Sequence, residues 1–167
     1  LPIDVMRQLC HGTVCAVAFS GSQAGDQWPG SRAISAEKAN TANGLSLNGM
    51  ALSTANLFTA VQPGGSLFGL QESNPVSTHA AYSGSPDRYG RSNDPMVGER
   101  IGGVNVFGGG LALYDSSHAI VGGIPARIAL LSIDSCATSS VNRTEPSGSE
   151  GVVTAASSSG LSAPLIS

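Results

Sequence analysis

Three consecutive glycines, Gly108-Gly109-Gly110, sit inside a largely apolar run from Ile101 to Tyr114 that Asn105 interrupts. Glycine weakens a strand because it packs no side chain, so it is useful there only where another backbone or a ligand must approach closely. The run therefore predicts a β-strand laid tightly against a neighbour. Asp115-Ser116-Ser117-His118 supplies turn residues, and Ala119 to Ile124 returns as the partner strand. These two segments predict a β-hairpin, and hence an antiparallel sheet as the framework.

The rest of the chain provides what packs on that sheet. Leu1 to Leu9 and Val14 to Phe19 read as an N-terminal hairpin turning through Cys10-His11-Gly12-Thr13. Ser31 is a credible N-cap for a helix running to about Asn43, with Ile34, Thr41 and Leu45 on one face and small alanines beside them. A second helix is expected after Ser53, carrying Ala55, Leu57, Phe58 and Val61, and Pro63-Gly64-Gly65 ends it. From Gln71 to Glu99 the signals are those of a loop: Asn74-Pro75, Ser85-Pro86-Asp87 and Asp94-Pro95. A long irregular stretch in a compact domain is more often functional or oligomer-contacting than idle. The expected class is α/β in the α+β sense, an antiparallel sheet with helices packed on it.

With 167 residues the chain suits one domain that buries roughly two-thirds of its unfolded surface. It is read as a single domain over 1–167, of which 136–167 is an atypical Ser-rich C-terminal segment. Charged residues make up only 11% and the net charge is −3, with Lys38 the one lysine, so no basic stripe exists to neutralise phosphates and nucleic acid is not an expected partner. No apolar run approaches the ~20 residues of a membrane span, and Leu1-Pro2-Ile3-Asp4 lacks the pattern of a signal peptide. The expectation is a soluble protein, cytoplasmic or secreted after leader removal, with no membrane partner. Cys10, Cys15 and Cys136 form no C-x-x-C pair, which leaves a zinc site without support. A Cys15–Cys136 disulfide and buried thiols stay equally open. Asn142-Arg143-Thr144 fits the glycosylation triplet, a pattern common by chance. Neither a G-x-S-x-G elbow nor a G-x-G-x-x-G turn follows a strand, so nucleophilic hydrolysis and dinucleotide binding lack a motif.

The stretch from Val14 to Asp115 resembles the GlcG/HbpS-like haem-binding family, formerly a domain of unknown function. The residues that carry the likeness are Val14-Cys15-Ala16-Val17-Ala18-Phe19, Gly25-Asp26-Gln27-Trp28-Pro29-Gly30-Ser31-Arg32, the helix segment from Ser35 to Asn43, the loop from Gln62 to Pro75 and the glycine-bearing run from Gly102 to Tyr114. The resemblance implies a profilin- or roadblock-like sheet-and-helix fold, homo-oligomers, and haem or a corrinoid-related ligand as cofactor. It implies no single shared reaction. The family's first helix is absent here, and after Ile124 its Gly-Val-Ser-Gly-Asp strand end is replaced by Pro125 to Asp134. Ser135-Cys136-Ala137 matches the family, but the Asp-His-Asn that follows it there is Thr138-Ser139-Ser140 here, so that histidine's role is not transferable.

A haem site needs an apolar slot, an axial donor and cations for the propionates. His79, in the long loop, is the preferred iron ligand over His11 and His118, which fall at hairpin tips; Tyr82, Tyr89 and Tyr114 are the other donors. Arg32 and Arg100 are the candidate cations, with surface arginines as the plain alternative. Phe68, Phe107, Gly108, Gly109 and Gly110 are the candidate slot, although core packing explains the phenylalanines equally well. The leading reading is a homo-oligomeric protein that binds haem or a related tetrapyrrole for sequestration, transport or sensing. The alternatives are an enzyme acting on a small organic acid or on haem at an inter-subunit site formed by residues 71–100, and an oligomeric scaffold without a ligand.

Overall fold

The computed structural model describes residues 12–19, 22, 24–125 and 130–133. Within them four strands, β1 (Ala16–Val17), β2 (Gly110–Tyr114), β3 (Ile120–Pro125) and β4 (Leu130–Ile133), form one antiparallel sheet in the order β1-β4-β3-β2. A 15-residue helix, α1 (Ser31–Leu45), lies across β2, β3 and β4, and a single-turn helix, α2 (Thr78–Ala81), packs beside it. The expected architecture, an antiparallel sheet with helices packed on it, is the one the chain adopts.

The hairpin of β2 and β3 pairs Leu111 with Ile124 and Ala112 with Gly123, and slips register between Leu113 and Tyr114. Its turn is closed by Asp115, whose Oδ1 accepts from the N–H groups of Ser117 and Ala119 at 2.8 and 3.0 Å. The strand is shorter than the apolar run suggested. It begins at Gly110, not Ile101, because Gly102, Gly103 and Gly109 take φ of 66°, 79° and 107°, a left-handed conformation that cannot continue a strand.

α1 shows why this sheet is rich in glycine. Ala33, Ala36, Ala39 and Ala42 recur every third residue along its buried side. Alanines let the helix axis come close to the strands, and the strands answer with glycine. A Cβ on Gly123 would stand 2.3 Å from the Ala39 carbonyl oxygen, and one on Gly110 would stand 2.6 Å from that of Lys38. Two details differ from expectation. Ser31 is the first helical residue, Gly30 occupies the cap without a side-chain bond, and the helix runs two residues past Asn43. Leu45 is exposed, since its side chain falls outside the alanine stripe in the last turn.

The second expected helix is a 3-10 turn at Thr54–Leu57 followed by further turns. Its apolar spacing still serves: Leu57 and Val61 are buried together with Val106. Residues 71–99 are irregular as anticipated, apart from α2, where Ser77 Oγ accepts from Ala80 N at 3.3 Å, and a 3-10 turn at Pro86–Arg88. Beneath them Met96 and Ile101 meet Val14, Val17, Ala33 and Ala36 in the main core.

β1 pairs with β4, which inserts between β1 and β3. Residues 1–11, with the N-terminal hairpin strand, Cys10 and His11, lie outside the described residues, as do the expected Ser-rich tail, Cys136 and Asn142. No described helix is long and apolar enough to cross a membrane.

Candidate ligand-binding site

α1 meets the irregular half of the chain in its first turn and again at its middle, by two different means. Near its start Arg32 is buried at 8% exposure beside Asp94 at 3%. Arg32 Nη1 donates to Asp94 Oδ2 at 2.8 Å, Nη2 donates to Oδ1, Nε donates to the Ala81 carbonyl, and the guanidinium plane lies 3.9 Å from the Tyr89 ring centre. Asp94 also accepts from the N–H groups of Gly90 and Met96 at 2.6 and 2.8 Å. Burial by itself pushes the Asp94 carboxyl up, but the Arg32 bond, the two backbone donors and the Arg32 charge outweigh it and hold it below 3.8. One arginine thus ties the whole 81–96 excursion to the helix.

Farther along α1, about 9 Å up the axis from Arg32, the contacts are uncharged or single. Thr41 Oγ1 donates to the Glu37 carbonyl at 2.7 Å and accepts from Asn105 N at 2.9 Å. Asn40 Nδ2 donates to Gly103 O at 2.8 Å, and Lys38 Nζ donates to Gly108 O at 2.8 Å. Thr54 Oγ1 donates to the Phe107 carbonyl at 2.6 Å and accepts from Gly110 N at 2.9 Å. Helix and turn side chains therefore replace the strand ladder that residues 103–109 lack.

This strip ends in an open apolar edge. Phe58 and Phe107 stand with ring centres 6.1 Å apart and planes tilted by 42°, and they remain 46% and 60% exposed. The three adjacent glycines have distinct duties. Gly110 allows close packing, Gly109 adopts positive φ, and Gly108 is open, since a Cβ there would meet Ala55 Cβ at an ordinary 3.6 Å.

The structure thus brings Phe107, Gly108, Gly109 and Gly110 to one edge and leaves the other candidates elsewhere. Arg32 is enclosed by Asp94, Ala81 and Tyr89, so its fork does not face solvent, contrary to the expectation that it meets a propionate. Arg100 is exposed, with its backbone bridged to Thr13. Phe68 is exposed in the 64–75 turns. His79 is exposed on α2, and among the described residues no hydrogen bond, ion pair or ring contact joins it to the phenylalanine pair. Tyr82 donates to Pro29 O, Tyr114 donates to Leu47 O at 3.0 Å, and His118 sits in the hairpin turn with φ of 61°. No group of three or more His, Cys, Asp or Glu able to hold a metal ion occurs among the described residues.

Lys38, Thr54, Phe58 and Asn105 were not legible as site residues. Each acts across more than 45 residues of sequence, and the one available signal was the solitary lysine on an otherwise small-residue helix. The chain matches no family model, no curated protein and no solved structure.

Proposed function

We propose that this protein binds a planar, carboxylated tetrapyrrole such as haem, and that it does so between two copies of the chain. The single observation carrying this reading is the exposed Phe58–Phe107 pair beside the side-chain-free Gly108 and the Lys38 ammonium. A flat macrocycle asks for phenyl contact on its face and a cation for its carboxylates. Exposed aromatic surface also has a free-energy reason to be covered.

The residues fit the group on one side. A ring sandwiched between two phenyl planes needs about 7 Å, twice the contact distance of carbon atoms. At 6.1 Å and tilted, Phe58 and Phe107 make one wall, not two. A second copy presenting the same edge supplies the other wall, which agrees with the homo-oligomeric expectation. Lys38 keeps donors beyond the one on Gly108 O for a carboxylate. His79 is the histidine offered for iron, from its exposed position on α2.

Titration of the purified protein with haemin tests this. A saturable, shifted Soret band at one haemin per two chains is expected, together with a dimer by light scattering. Phe107→Ser removes binding, and His79→Ala changes the band position. An unshifted Soret band, or saturation that ignores Phe107→Ser, overturns the reading.

A further inference from the structure

We propose that Thr54 is the positioning residue of the ligand slot, its hydroxyl holding the Phe107 ring at its angle to Phe58. This rests on the reading of Phe107 as a wall of that slot. Thr54 is fully buried, and its one side-chain oxygen meets both ends of the four-residue bend from Phe107 to Gly110. It donates to the Phe107 carbonyl at 2.6 Å and accepts from Gly110 N at 2.9 Å. In an ordinary β-turn those two backbone groups bond each other directly. Here a hydroxyl, with one donor and spare lone pairs, stands between them and satisfies both. The bend is therefore held open by a side chain from another element.

That element is the one that carries the other ring. Thr54 opens the 3-10 turn Thr54–Leu57, and Phe58 caps it, its N–H donating to the Ala55 carbonyl at 3.2 Å. Leu57 in the same turn packs with Val106, so each phenylalanine follows an anchored apolar neighbour. Apolar contact fixes how near the two segments lie, but it has no direction. A hydrogen bond has one, and the Thr54 bond reaches from the Phe58 segment to the backbone of Phe107 itself. Gly110 makes room for it: a Cβ there would stand 2.3 Å from Thr54 Cγ2 and 3.0 Å from Thr54 Oγ1. Asn105 Oδ1 accepts from Phe107 N at 3.1 Å, so Phe107 is gripped at both of its backbone polar groups. Without the hydroxyl, the Phe107 carbonyl and the Gly110 N–H are left unpaired in a buried place, and the bond open to them is the one to each other. Closing the bend in that way draws Phe107 off Phe58 and dismantles the wall.

Thr54→Ser and Thr54→Ala form the decisive pair, since both delete the methyl and only the second deletes the hydroxyl. NMR on the full chain without ligand reads the geometry. Cross-peaks between the Phe58 and Phe107 ring protons are expected in the parent and in Thr54→Ser and are lost in Thr54→Ala, while the amide signals around the Arg32 clamp stay in place. Ring contacts that survive in Thr54→Ala, or that vanish in Thr54→Ser as well, overturn the proposal. A second measurement uses the parent chain alone and holds even where Thr54→Ala does not fold. A slowly exchanging Thr54 hydroxyl proton with a cross-peak to the Gly110 N–H is expected, and a hydroxyl that exchanges as fast as a surface one overturns the assignment. Haemin at pH 7 is expected to bind roughly tenfold more weakly to Thr54→Ala and within about twofold of the parent to Thr54→Ser. Equal affinity in Thr54→Ala overturns the positioning role. If the parent chain binds no haemin, the slot reading falls, and the ring contacts still decide whether Thr54 sets the phenylalanine pair.

Discussion

The first turn and the middle of α1 solve the same packing problem with opposite chemistry. At the Arg32 end a long irregular segment is drawn in by a buried, bidentate ion pair and a cation–π contact with Tyr89. At the Lys38 end the partner backbone is met by alanine, glycine and single hydrogen bonds, and aromatic rings stay outside. A charge buried in a clamp is sealed off from ligands, whereas a close glycine contact leaves surface available. Surface open to a ligand therefore lies at the Phe107 edge and not at Arg32, where the sequence suggested it.

The largest loss of stability is expected at the clamp. Asp94→Ala leaves the Arg32 charge buried without its partner, and a loss of about 3–5 kcal/mol is expected by urea denaturation. A loss under about 1 kcal/mol would mean that the pair behaves as a surface salt bridge. The glycine end should respond less but more selectively. Gly123→Ala drives a methyl into the Ala39 carbonyl and Gly110→Ala into Thr54 and the Lys38 carbonyl, so each is expected to cost about 1–3 kcal/mol. Gly108→Ala, with open space around it, should stay within about 0.5 kcal/mol. Equal losses at all three positions would refute the division of labour within the triplet.

Acid separates the two ends by sign. The Asp94 carboxyl is held below 3.8, so its contribution to stability is present above that value and is lost as pH falls through its lower folded pKa. Glu37 runs the other way. Burial raises its folded pKa above 4.5, so ionising it costs the fold above that raised value, and the cost vanishes below 4.5. Glu37→Gln is therefore expected to be more stable than the parent at pH 7 and to lose that advantage toward pH 4, as thermal melts at the two pH values will show. A small effect is also predicted for Ser35, a hydroxyl buried without a hydrogen-bond partner among the described residues. Ser35→Ala should be neutral or stabilising by up to about 1 kcal/mol, and a clear loss would reveal a bond that its surroundings do not suggest.

Much of this was legible in the residue order, for local reasons. The hairpin about Asp115–His118, the helix after Gly30 and the loop character of 71–99 follow from turn chemistry and periodicity, which act between near neighbours. Strand β2 was overextended because an apolar run cannot reveal which of its glycines will take positive φ. The helix after Ser53 became a 3-10 turn because its residues are set by contacts with Val106 and with the Gly110 strand, not by one another.

Composition and local pattern alone determined an α+β class, a sheet needing close backbone contact, and the absence of any basic stripe for nucleic acid. Only the tertiary structure decided that Arg32 closes a clamp on Asp94, that Lys38 reaches Gly108 and that Phe58 meets Phe107. Those partners lie tens of residues apart, and which of them meet depends on how closely an alanine face can approach glycine strands, a quantity no window of sequence contains.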